Sequence, residues 1–170
     1  SHKIQTWVNP LIELSQEAEN HKLPIQMGGA VGDNQVLKEN AQKMITFISN
    51  KLDLPTPQGS WQTNRNKLVS FAGWITRISG VLGKIGQDFC LMAQNNDELV
   101  LQAGGRSSAM PHKQNPILGE LIVTLARYNA GQVGLINQCM VHEQERSGSA
   151  WMLEWMVLPQ MTMVTGCSVH

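Results

Sequence analysis

Residues 107–116 read Ser-Ser-Ala-Met-Pro-His-Lys-Gln-Asn-Pro and concentrate two hydroxyls, an ammonium, an imidazole, two side-chain amides and two fixed prolines, soon after Gly104-Gly105. That inventory suits an anionic ligand. Asn115-Pro116 reads as an N-cap followed by proline at the first helical position, which puts unpaired backbone N–H groups and the positive end of a helix dipole beside the loop. Lys113 adds a full charge, and Asn115 either caps the helix or turns its amide toward a carboxylate.

Two further stretches rich in Gly, Pro and polar residues break the helical pattern. Residues 23–32 (LPIQMGGAVG) carry three glycines, which permit close backbone approach to a ligand or merely connect two helices. Residues 54–65 (LPTPQGSWQTNR) set Thr63 and Arg65 beside a proline-rich turn.

The elements that must position these loops are helical. No Val/Ile/Thr-rich run alternates with period two between turn residues. Over residues 67–92, Leu68, Phe71, Ile75, Ile78, Leu82, Ile85, Phe89 and Met92 recur at steps of three and four, which predicts a long helix with a heptad seam used for packing. Past Pro116 a second seam runs through Leu118, Leu121, Leu125, Tyr128, Leu135 and Cys139, broken by Gln132. A first helix is expected over residues 4–20. Another is expected from an N-cap at Asp33 through Val36, Leu37, Met44 and Ile48 to Lys51. The last starts near Ser149 and passes Trp151, Leu153, Trp155 and Val157 until Pro159 ends or kinks it. The expected fold is an all-α, long-helix bundle.

With 170 residues, 42% of them hydrophobic and 15% charged, the chain can bury a core as one domain. Thirteen basic residues balance thirteen acidic ones without clustering, which argues against nucleic acid and membrane partners. No apolar run reaches the roughly 20 residues of a spanning helix and no signal-peptide core opens the chain, so the expectation is a cytoplasmic protein. Cys90, Cys139 and Cys167 read as buried thiols. The five histidines show no metal spacing, so no metal site is expected.

Residues 107–116 closely resemble the signature loop of the fumarase/aspartase superfamily, Ser-Ser-x-Met-Pro-x-Lys-x-Asn-Pro, at every fixed position. Arg106 departs from it by standing where the family has glycine; a side chain there either alters loop closure or offers a further carboxylate contact. The resemblance implies a helical bundle of that type and a homotetramer with active sites shared between subunits. It also implies a loop closing over a small carboxylate substrate, with Ser107 as catalytic base and Lys113 and Asn115 gripping a carboxylate. Ser108 and Met110 are expected to contact the substrate from the same loop, and no cofactor is implied. Family chains are longer, so residues 1–170 are expected to be the central domain, with an N-terminal domain and a C-terminal part outside them.

Other segments resemble a lactone-forming branch of that superfamily. Gln26-Met27-Gly28-Gly29-Ala30-Val31-Gly32 is similar to its Gln-x-Gly-Gly-Ala-x-Gly segment. Trp61-Gln62-Thr63-Asn64-Arg65 is similar to its Trp-His-Thr-Gln-Arg, with Gln62 replacing the histidine. His142-Glu143-Gln144-Glu145-Arg146, with Trp151 and Glu154-Trp155 beyond, resembles its Glu-His-Glu-Arg, Trp and Ala-Glu-Trp run, with the histidine displaced to 142. This implies a tricarboxylate substrate in aromatic-acid breakdown, whose extra carboxylate Thr63 and Arg65 would meet. Trp151, Glu154 and Trp155 are expected to pack in a core or interface, and Glu145 and Arg146 read equally as an internal ion pair. Two alternatives stand: a fumarate-releasing lyase acting on a succinyl adduct such as adenylosuccinate, and a catalytically silent helical scaffold. The chemistry fits the loop, because proton transfer alpha to a carboxylate passes through a doubly charged intermediate that needs fixed donors and a cation.

Overall fold

A computed structural model describes residues 2–95, 105–106 and 114–170. The candidate residues Ser107, Ser108, Met110 and Lys113 lie outside the described residues. Helix α1 spans His2–Gln16, and a 3-10 turn follows over Ala18–His21. Helices α2 (Asn40–Leu52), α3 (Asn66–Asn95), α4 (Ile117–Gln138) and α5 (Gly148–Val169) come next. Among the described residues the fold is all-α apart from one pair of two-residue strands, β1 (Gly105–Arg106) and β2 (Gln114–Asn115). Among the described residues no helix is long and apolar enough to cross a membrane.

The helix predicted from Asp33 begins instead at Asn40. Asn34 and Lys38 hold left-handed backbone at φ 57° and 46°, which L-residues adopt singly in turns and not in helices. Asp33 Oδ1 accepts the Gln35 N–H at 3.1 Å, so its side chain closes a local turn and caps no helix. At the other end, Asp53 is left-handed at φ 52° and returns its N–H to the Ser49 carbonyl, a left-handed C-cap without glycine. Pro159 does not end α5, which runs on through it to Val169. A proline removes one N–H, and the many remaining helical bonds carry the segment across.

The chain divides into two compact units, the first comprising Ser1–Ser15, Ile75–Gln132 and Gln160–His170. Here the predicted seams need correction. The row that α3 buries is Ile75, Ser79, Gly83, Gly86, Cys90 and Ala93, while Ile78, Leu82 and Ile85 are half-buried and Phe89 is exposed. A Cβ on Gly86 would stand 2.9 Å from the Gly119 carbonyl oxygen, and one on Gly119 would stand 2.9 Å from Cys90 Sγ. The backbones of α3 and α4 therefore meet at glycine, a separation that leucine-lined seams do not allow. On α4 the row Leu118, Leu121 and Tyr128 is exposed, with Leu118 at 75%, and Asn129 faces inward. Its Nδ2 donates to Ser79 Oγ at 2.8 Å and Thr165 Oγ1 at 2.9 Å. Those hydroxyls pass their own hydrogens to the Ile75 and Met161 carbonyls, so the donors of this buried polar layer are satisfied, while Asn129 Oδ1 is buried without a partner among the described residues. Cys167 is exposed, contrary to expectation, because the buried row of α5 passes through Thr165 and Ser168 on either side of it.

The second unit comprises Gln16–Trp74 and Val133–Pro159. Its apolar core draws on Ile25, Ala41, Ile45, Leu68, Ala72, Ile136, Cys139, Ala150 and Val157.

Candidate active site

The base of the 107–116 loop belongs to the first unit. β1 and β2 pair antiparallel, with Gly105 opposite Asn115 and Arg106 opposite Gln114. Arg106 is thus in extended backbone, which any residue adopts, so its replacement of glycine imposes no strain at that position. Asn115 is half-buried and lies in β2, so it is not the N-cap of α4 as expected. The Glu120 N–H bonds the Pro116 carbonyl at 3.0 Å, which makes Pro116 the capping position. The first turn of α4 follows directly and carries the acid Glu120 beside the positive end of the helix dipole.

The second unit contains a cleft of about 550 Å³. The glycine loop (Gln26, Met27, Gly28, Gly29) and Leu37 form part of its lining; Trp61, Gln62, Arg65, Arg146, Trp151, Glu154 and Trp155 complete it. The glycine loop fits because Gly29 and Gly32 are left-handed, at φ 64° and 83°. A Cβ on Gly32 would stand 2.6 Å from Ser60 Oγ, so only glycine lets the loop lie against residues 60–62. Trp61 is oriented by its indole N–H, which donates to the Ile25 carbonyl at 3.0 Å.

Arg65 is 9% exposed and pairs bidentately with Glu154, donating from Nε to Oε2 at 2.9 Å and from Nη2 to Oε1. A third donor, on Nη1, reaches the Gln62 carbonyl at 3.4 Å, and the guanidinium lies 5.0 Å from the Trp61 ring centroid. Three of the five N–H donors of Arg65 are therefore engaged within the protein, and Glu154 cancels its charge. Thr63, half-buried in the same stretch, is absent from the residues that line the cleft.

Arg146 is the second guanidinium on the cleft. It stacks over Trp151 at 4.2 Å, and Trp151 meets Trp155 edge-on at 4.7 Å. No ion pair joins it to Glu145 among the described residues, which corrects that expectation: the planar cation lies on an aromatic face and keeps its N–H edge for another acceptor. The turn before it is pinned twice. His142 Nδ1 accepts the Ser147 N–H at 3.1 Å, and the Glu145 carbonyl accepts from Gln62 Nε2 at 3.3 Å. Below the cleft, burial pushes the Cys139 thiol up from its ordinary value, with Glu154 adding to the shift and Arg65 opposing it.

Sequence reasoning places Arg65 in the site but misses its partner and misses Arg146 as the cation with an open edge. One signal for the partner is present: Glu154 is the lone charge in the 22 residues of α5, and a lone acid in an apolar helix must find a cation. Trp155, expected to pack, is 65% exposed.

A family model described as lyase matches residues 1–133. A 3-carboxy-cis,cis-muconate cycloisomerase of Pseudomonas aeruginosa is 34% identical over 150 residues, covering 86% of this chain and 33% of that protein. An N-acetyl-S-(2-succino)cysteine lyase of Enterococcus italicus is 29% identical over 94% of this chain and 37% of its own length. In structure, a 3-carboxy-cis,cis-muconate lactonizing enzyme from Pseudomonas putida superposes with a TM-score of 0.82 at 30% identity, covering 96% of this chain and 37% of that one. The chain spans about a third of the length of the curated relatives it matches.

Proposed function

The chain belongs to the lyase family, within the fumarase/aspartase superfamily, and on that premise we propose that the whole protein closes a lactone on 3-carboxy-cis,cis-muconate in protocatechuate breakdown. The observation that carries this reading is the Arg146 cleft, a guanidinium lying over an aromatic wall with no ion pair among the described residues, which suits a flat, conjugated polycarboxylate. One carboxylate oxygen of the substrate adds to a carbon of the double bond, the new C–O bond replacing the π bond. Ser107 delivers a proton to the adjacent carbanion and regains one from solvent; in the opening direction it is the base. Lys113 and Asn115 hold the carboxylate on that carbon, with Ser108 and Met110 against the substrate beside them. Thr63 and Arg65 are the residues proposed to meet the extra carboxylate, Arg65 from the cleft lining with its two remaining N–H groups and Thr63 from outside that lining. No metal or organic cofactor takes part.

Residues 1–170 are read as the central domain of a cytoplasmic homotetramer whose active sites draw on several subunits. The exposed rows Leu118, Leu121 and Tyr128 on α4 and Met152, Met156 and Met163 on α5 support association, since a lone soluble chain rarely leaves so much apolar surface in water. The succinocysteine lyase at 29% identity keeps a fumarate-releasing reading alive. Both substrates are assayed on one preparation: loss of muconate ultraviolet absorbance is expected, and fumarate release from N-acetyl-S-(2-succino)cysteine without muconate turnover would reverse the reading.

A further inference from the structure

Gln62 is 9% exposed, and its side-chain nitrogen bridges the glycine loop and the turn before α5. Nε2 donates to the Ala30 carbonyl at 2.9 Å, in the glycine loop, and to the Glu145 carbonyl at 3.3 Å, in the turn before α5. The amide orientation follows from chemistry, because the flipped form would set Oε1 against two carbonyl oxygens. The Glu145 carbonyl belongs to the same planar peptide unit as the Arg146 N–H, so the bond holds Arg146's own backbone. That backbone needs holding: Gln144, two residues before, is left-handed at φ 50°, a conformation without glycine that its surroundings must maintain. Gln62 also reaches the floor of the cleft, since its backbone carbonyl accepts from Arg65.

We infer that Gln62 is a positioning residue for the Arg146 guanidinium, setting the distance between the glycine loop and the arginine and so the size of carboxylate ligand the cleft accepts. This rests on the reading of Arg146 as a carboxylate ligand. A carboxamide suits the task because its two hydrogens diverge by about 120° from one nitrogen and satisfy two carbonyls at once. Asparagine is one methylene too short to reach both walls, and methionine fills the volume without donors.

The test is a double-mutant cycle on the full protein with tricarballylate, a flexible tricarboxylate, as probe, followed by calorimetry. Gln62→Met and Gln62→Asn are each expected to weaken binding about tenfold, the scale of losing positioning hydrogen bonds. Arg146→Gln is expected to weaken it at least as much. Adding Gln62→Met to Arg146→Gln is expected to cost little more, because a residue that acts through Arg146 has nothing left to position. A merely structural role would lower the unfolding midpoint while leaving affinity unchanged, and that result overturns the inference. Equal losses from Gln62→Met in both backgrounds overturn it as well. If tricarballylate binding is indifferent to Arg146→Gln, the reading of the cleft fails first and the inference falls with it. Should Gln62→Met fold poorly, Gln62→Asn decides alone, and wild-type affinity there rejects the role.

Discussion

Removing Glu154 should be among the most destabilising single changes in the second unit, and removing Arg65 with it should undo most of the damage. The pair is sequestered, with side chains 9% and 7% exposed, and joined by two parallel bonds. Glu154→Leu strips Arg65 of its counter-charge and of two of its three protein acceptors, leaving one long bond to the Gln62 carbonyl. Breaking one side of a buried pair costs about 3–5 kcal/mol, because the surviving charge stays desolvated. Against a total stability of roughly 5–15 kcal/mol, that is about a fifth or more. Replacing both partners by apolar residues of similar volume, Arg65→Met with Glu154→Leu, is typically neutral or stabilising by about 1–4 kcal/mol. The expected ordering is therefore wild type and double variant together, with the single variant well below. Urea unfolding followed by tryptophan fluorescence reads this locally, since Trp61, Trp151 and Trp155 line the same cleft. If Glu154→Leu unfolds within about 1 kcal/mol of wild type, water reaches the pair, its screening resembles that of a surface bridge, and the reasoning is refuted.

Gly86→Ala should lower the thermal midpoint by an amount equivalent to about 1–3 kcal/mol, because the new methyl meets the Gly119 carbonyl at 2.9 Å and two helix backbones must part. Gly80→Ala in the same helix, with nothing within 4 Å of its Cβ, should raise it by up to about 1 kcal/mol, the helix-propensity difference; equal effects would deny the close glycine contact. Burial raises the thiols of Cys90 and Cys139 above the ordinary 9.0. Their contribution to stability is then fully present below that value and lost as pH climbs through the raised folded-state values. At about pH 8 both should resist iodoacetamide in the native protein and react once it is unfolded, as mapped by peptide mass spectrometry; prompt native labelling of Cys139 would show that the core opens.

Helix existence is legible in the sequence, because three-and-four spacing over residues 67–92 and 118–139 admits no strand. Which row of each helix is buried is not, because neighbouring rows share that period. Gly83, Gly86 and Gly119 decide the matter on α3 and α4 by allowing backbone contact, and Phe89, Leu118 and Leu121 are left exposed. Asp33 resembles a cap in every local respect. Its role is settled by the left-handed backbone of Asn34 and Lys38. The anion-binding reading of residues 107–116 rests on residue types alone. The Arg65–Glu154 pair, joining residues 89 apart, needs the fold to bring it about. Arg146 is harder still, since a solvated surface arginine and one stacked on Trp151 have the same local sequence.

The proposal to be tested first is that this chain belongs to an enzyme whose Ser107 moves a proton beside a carboxylate gripped by Lys113 and Asn115. The most direct test follows 3-carboxy-cis,cis-muconate absorbance in the full protein and in Ser107→Ala, with substrate affinity of the variant measured by calorimetry. Loss of absorbance in wild type is predicted, with turnover abolished and affinity largely retained in Ser107→Ala. Undiminished turnover in that variant would contradict the account, and a wild-type protein that turns over neither carboxymuconate nor N-acetyl-S-(2-succino)cysteine would favour the silent-scaffold alternative.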